Sequence, residues 1–115
     1  MTTQRAQTKR EMPEAEVVRL AELVNFQGGA VVSRTLLKCP TGTVTVFAFD
    51  QGQGLSEHTA PFDALVQVLE GSAEITVTGK PLQARTGDAI LLPANQPHAV
   101  KASTRFKMLL TMIRS

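Results

Sequence analysis

The fold class that this sequence predicts is all-β, a sandwich or barrel. Three observations predict it. Short runs rich in Val, Thr, Ile, Leu and Phe recur between Gly and Pro turns, at a spacing of roughly 8–12 residues. No long amphipathic helical pattern interrupts them, which excludes βαβ architecture. The chain has 115 residues, 43% hydrophobic and 19% charged, enough for one domain with a core that needs no disulfide or metal staple.

The elements follow in order. Residues 1–12 are polar and mixed in charge, with Lys9, Arg10 and Glu11 together, and read as a frayed tail. The segment 1–19 is expected to be flexible or partly ordered, and 20–115 to form a single barrel domain. From Pro13 the pattern is ambiguous: Val17, Leu20, Ala21 and Val24 fit a helical face, whereas Val17-Val18 and Leu23-Val24 fit strand ends. A short helix or turn around 20–24 is the reading adopted, and Gly28-Gly29 breaks the chain.

Strands are then expected over 30–37, 43–49, 64–69, 72–78, 82–85, 89–92, 98–102 and 105–113. Cys39-Pro40-Thr41-Gly42, Gly79-Lys80-Pro81 and Thr86-Gly87-Asp88 read as turns, and Gln51-Gly52-Gln53-Gly54 as a loop. Ala89 to Leu92 reads as a buried strand that Pro93 ends. Phe47 and Phe49 share one face and read as core. Met108 and Met112 read as core or interface fillers.

Composition excludes several functions. With 12 Lys and Arg against 10 Asp and Glu, and neither Trp nor Tyr, no basic, aromatic surface suits nucleic acid. Arg34, Lys101 and Arg105 read as surface charges. The single Cys39 excludes an intramolecular disulfide and a cysteine-rich zinc site. No apolar run is long enough for a membrane span, and residues 1–19 lack an apolar signal-peptide core. A cytoplasmic protein with no membrane partner is the expectation.

Two segments go further. The first runs Gly52, five residues, His58-Thr59-Ala60, three residues, Ala64, six residues, Gly71. The second runs Gly87, five residues, Pro93-Ala94-Asn95, two residues, His98, three residues, Ala102. Together they resemble the two signature motifs of the cupin superfamily. The resemblance covers Gly52 to Ala102 and implies a small double-stranded β-helix, or jelly roll, of the RmlC-like kind. It also implies a homodimer, which the long apolar strand at 105–113 favours independently.

In metal-bearing cupins, three histidines and a glutamate converge on a divalent transition metal. This chain keeps His58 and His98 at two of those four positions. Ala60 stands at the second histidine position, Ala64 at the glutamate position, and Ala102 where the family has Asn. Asn95 replaces a glycine and can keep the turn, because Asn tolerates the left-handed region. Glu57, Asp63 and Gln67 are the nearest substitute ligands, but strand alternation turns them away from His58, Ala60 and Ala64.

The expected site is therefore an apolar pocket lined by His58, Ala60, Ala64, Val66, Val68 and His98. Three uses of the histidines stay open: satisfied core residues, direct contact with a small-molecule ligand, or a weakly held metal at His58 and His98. A metal-free ligand-binding module leads. A metal-dependent dioxygenase, isomerase or decarboxylase is the alternative. A metal-free epimerase mechanism of the His/Tyr kind lacks its tyrosine, while a metal-free acid/base pair of His58 and His98 stays open, because imidazole titrates near neutrality.

Overall fold

The computed structural model describes residues 8–114. It contains ten strands: β1 (Lys9–Arg10), β2 (Val31–Cys39), β3 (Gly42–Phe49), β4 (Gly54–His58), β5 (Asp63–Glu70), β6 (Ser72–Val77), β7 (Lys80–Arg85), β8 (Ala89–Leu92), β9 (His98–Ala102) and β10 (Phe106–Ile113). Among the described residues the helical content is one 3-10 turn, Leu20–Leu23. A six-stranded sheet runs β1-β2-β3-β10-β5-β8, and a four-stranded sheet runs β4-β9-β6-β7. All pairings are antiparallel. The architecture is the expected jelly-roll barrel.

Side-chain alternation builds the core between the sheets. On β5, Ala64, Val66 and Val68 are buried while Asp63, Leu65 and Gln67 are exposed. On β9, His98, Val100 and Ala102 are buried. Ala64, Val66, Val68, Val100 and Ala102 pack with Phe49, Ile75, Phe106 and Met108 in one cluster. A second cluster lies on the outer face of the large sheet, where Val24, Leu36, Val46, Ala48 and Leu109 are covered by Met12, Leu20, Leu23 and Phe26. Strand β3 is apolar on both faces because both are covered.

The turns use the residues the sequence supplies. Gly71 and Gly87 have φ of 81° and 92°, and Asn95 takes φ 65° in place of a glycine. Thr78 and Gly79, at φ 48° and 79°, form the two-residue connection of the β6–β7 hairpin.

Several expectations need correction. The loop at 51–54 ends early, for Gly54 opens strand β4. A side chain at Gly54 would collide with the Val100 carbonyl oxygen, so this glycine marks close backbone approach rather than a turn. The tail at 1–12 is not wholly frayed, since Lys9 and Arg10 pair with Lys38 and Leu37; its first seven residues lie outside the described part. Lys80 and Pro81 belong to β7, an edge strand that tolerates proline. Cys39 ends β2 rather than lying in the turn. Strand β8 is not buried: it forms a sheet edge and leaves Leu91 60% exposed. Arg105 is more than a solvated charge, for its Nε donates to Asp50 Oδ1 at 2.9 Å and its guanidinium lies over Phe26.

Candidate functional site

Strands β4 and β9 bring the two histidines together. His58 lies directly opposite His98 in the ladder, and Leu55 lies opposite Val100. Three steps separate Leu55 from His58, but only two separate Val100 from His98. Strand β4 absorbs the extra residue as a bulge, which lets Leu55 and His58 face the same side. His98 and Val100 are buried on that side and Leu55 is half-buried, whereas His58 itself is exposed. Glu57, inside the bulge, is exposed.

The imidazoles pack edge to face, with centroids 4.5 Å apart and planes at 67°. Each ring is anchored through Nδ1 to a carbonyl two residues earlier on its own chain. His58 Nδ1 donates to the Ser56 oxygen at 2.7 Å, and His98 Nδ1 donates to the Gln96 oxygen at 3.2 Å. A carbonyl can only accept, so Nδ1 carries the hydrogen and the neutral ring keeps its lone pair at Nε2. Neither Nε2 has a hydrogen-bond partner among the described residues. Burial pushes the His98 imidazole below its ordinary pKa, the Gln96 carbonyl opposes this, and the neighbouring His58 lowers it further.

The loop before His98 is held from both sides. Ala94 N donates to Asp63 Oδ1 at 2.9 Å, and Asn95 N donates to the Ala60 carbonyl at 2.8 Å. On the other flank, Thr78 N donates to the Pro97 carbonyl and the Thr78 hydroxyl donates to Gln96 Oε1. These bonds aim the Gln96 carbonyl at the ring. The sequence offers Asp63 only as a substitute ligand turned away from the site, and it singles out neither Thr78 nor Gln96. Their single signal is position, on the two elements that flank the Pro93–Pro97 loop.

The remaining expected site residues divide. Ala60 follows β4 and contributes its carbonyl to the Asn95 bond. Ala64 and Val66 face inward, 4% and 0% exposed, and pack with Val68 in the barrel core. The half-buried apolar residues against that core include Leu55, Val77, Leu110 and Met112. The depressions outlined on the surface lie elsewhere. One of about 420 Å3 runs along Gly54, Ser56, Glu74, Thr76 and Lys101, and one of about 260 Å3 lies beside Leu37, Val44 and Ile113.

A divalent metal does not fit the residues present. Among the described residues no three His, Cys, Asp or Glu side chains come together as a metal site. Ala60 and Ala64 offer methyl groups at the remaining ligand positions. Asp63 is committed to the Ala94 amide, and Gln67 is exposed on the outer face. Two imidazoles fall short of the three protein ligands that transition-metal sites ordinarily hold.

Comparison with known proteins agrees with the fold. No curated protein matches the chain. A conserved protein of unknown function from Streptococcus pyogenes is 36% identical, with TM-score 0.87, over 90% of this chain and 91% of that one. A cupin superfamily protein from Desulfitobacterium hafniense is 28% identical, with TM-score 0.85, over 90% and 95%. A cupin 2 conserved barrel domain protein from Leptotrichia buccalis is 43% identical, with TM-score 0.80, over 82% of this chain but 46% of that one. The cupin domain family matches residues 45–113, a span that includes both histidines, the bulge that pairs them and the two motif turns. The chain belongs to the cupin family.

Proposed function

We propose that this cupin binds a small organic molecule at the His58–His98 pair, without a divalent metal. The observation that carries the reading is the pair itself: two imidazoles in contact, each fixed through Nδ1, with alanines where further ligands would stand. Half-buried apolar side chains on the same inward faces suit an organic ligand. The test is elemental analysis of untagged protein together with calorimetric titration of Zn2+ and Ni2+. Wild type is expected to contain no stoichiometric metal and to show no saturable binding in the micromolar range. The Ala60→His/Ala64→Glu variant is expected to gain it. Stoichiometric metal in wild type, removable by chelator with loss of thermal stability, overturns the reading and favours a metal-dependent enzyme.

We also propose that two copies associate through the outer face of the large sheet. Leu37, Val44, Thr111, Leu65 and Leu91 stand in direct cross-strand register over five strands. Leu37, Leu65 and Leu91 are 40%, 38% and 60% exposed, and these five residues are uncharged, with Arg10 of β1 continuing the register beyond Leu37. Met12, Leu20, Leu23 and Phe26 pack against the neighbouring cluster on this face, which Val44 of the row also touches. An uncharged row crossing the strands can pair with itself about a two-fold axis. Light scattering is expected to give a dimer for wild type and a monomer for Leu65→Lys/Leu91→Lys. A wild-type monomer at micromolar concentration removes the proposal.

A further inference from the structure

Thr78 carries a backbone conformation that its residue type disfavours. It opens the two-residue turn between β6 and β7 at φ 48°, followed by Gly79 at 79°. Such turns need positive φ at both positions and are ordinarily made by Asn-Gly or Gly-Gly. A β-branched residue there is an outlier, and strain of this kind persists only where surrounding contacts hold it. Two hydrogen bonds hold Thr78, and both lead to one peptide unit.

The Thr78 amide donates to the Pro97 carbonyl at 2.8 Å, and its hydroxyl donates to Gln96 Oε1 at 3.0 Å. The peptide between Gln96 and Pro97 is thus gripped on both flanks by a single residue. Pro97 has no amide hydrogen with which to fix that unit itself. Its carbonyl, that of Gln96, is the one that accepts from His98 Nδ1. Val77, the residue before Thr78, is the ladder partner of His98, which sets the turn beside the ring's own strand.

We propose that Thr78 is a positioning residue, which holds the Gln96–Pro97 peptide so that His98 keeps its hydrogen on Nδ1. An unanchored neutral imidazole can carry its hydrogen on either nitrogen. With the hydrogen on Nδ1, Nε2 accepts; in the other tautomer it donates. Thr78 therefore decides which sign of hydrogen bond His98 offers. That consequence for ligand choice rests on the proposal that the histidine pair is the binding site, whereas the tautomer itself does not.

The experiment reads the tautomer of each ring by 15N NMR on the whole chain at pH 8, without ligand. Thr78→Gly removes the hydroxyl and relieves the backbone. It is expected to lower the ratio of Nδ1–H to Nε2–H tautomer at His98 roughly tenfold, the equivalent of one hydrogen bond, with no fall in melting temperature. Gln96→Ala, at an exposed position, should lower the ratio likewise, and it decides alone should Thr78→Gly fail to fold. Thr78→Ser keeps the hydroxyl and should restore the wild-type ratio. His58, anchored to Ser56 within its own strand, is the internal reference and should keep its tautomer throughout. An unchanged His98 ratio in either folded variant overturns the proposal, as does Thr78→Ser behaving like Thr78→Gly. A lower melting temperature with an unmoved ratio makes Thr78 a turn residue only and overturns it too. Stoichiometric metal in wild type, found by elemental analysis, overturns the metal-free binding reading instead.

Discussion

His58 and His98 are direct cross-strand neighbours, and a bulge between Leu55 and His58 is what turns both rings to the same side of the small sheet. The contact couples their chemistry. Buried His98 is held below its ordinary pKa, mainly by desolvation, and its folded state therefore binds fewer protons than the unfolded chain at mildly acidic pH.

The first prediction is a pH dependence. The neutral His98 ring contributes stability that is fully present above the unfolded histidine value of about 6.5. That contribution is lost as pH falls through the lower folded value. Urea midpoints for wild type should fall on acidification through this window, and His98→Phe should show a smaller fall. An unchanged difference between pH 7.5 and pH 5 in the variant would remove His98 as the cause.

The second concerns Asp50, which gathers three donors at a loop. Its carboxylate accepts from Gly29 N at 2.7 Å, from Arg105 Nε at 2.9 Å and from Gln51 N at 3.0 Å. The Gly29 amide, then Arg105 and Gln51, hold the carboxyl below the ordinary aspartate value. Its stabilising effect is present above that ordinary value, about 3.9, and disappears as pH drops through the folded one. Asp50→Ala should lower the melting temperature more than Arg105→Ala does, because it unties the backbone of two residues as well as the ion pair. Scanning calorimetry at pH 7 checks the order.

A third prediction isolates a buried cation. Lys107, 8% exposed, donates from Nζ to the Ala21 carbonyl at 2.6 Å and lies 4.9 Å from the Phe26 ring centroid. Glu70, at 4.0 Å, adds a weak ion pair. Lys107→Met keeps the aliphatic stem and removes the bond to the 3-10 turn, a loss of about 1–3 kcal/mol. Proteolysis between residues 12 and 26 should accelerate, while the NMR signature of the histidine pair stays unchanged.

The fourth compares two glycines of similar φ. At Gly71, with φ 81°, a methyl group would collide with the Arg105 carbonyl and lie 2.9 Å from the Thr104 hydroxyl. At Gly79, with φ 79°, it meets open space. Gly79→Ala should cost about 1–2 kcal/mol, the left-handed penalty alone. Gly71→Ala adds a backbone collision and should cost several times that, or prevent folding. Equal melting temperatures for the two variants would contradict this account.

Much of the barrel was legible because its punctuation is chemical. Gly71, Gly87 and Asn95 sit where positive φ is required, and Ala64, Val66 and Val68 alternate as a half-buried strand should. Strand β4 was not legible, because GLSEH lacks alternation and its bulge breaks the period. Nor was β1, whose two residues are both charged and pair only through backbone. The apolar run of β8 looks buried in sequence, but only contacts distant in the chain reveal that the strand is an edge. At the site, motif spacing brought His58 and His98 to notice. The anchoring of both Nδ1 atoms by the Ser56 and Gln96 carbonyls was invisible, since it depends on backbone path rather than residue type.

The large sheet has a core on each face, and the two differ in depth. Twelve buried residues form the inner cluster, whereas five form the outer one beneath the N-terminal segment. That difference sets a hierarchy of opening reactions. Detachment of residues 12–26 gives up the shallow cluster and the Lys107 bond to Ala21 while leaving the barrel interior closed. Amides of this segment should therefore exchange with solvent by a sub-global route, well before those of β5, β9 and β10. The histidine pair, whose strands and anchoring carbonyls lie outside the outer layer, belongs to the slower unit. The fold thus separates a detachable cover from a persistent barrel frame.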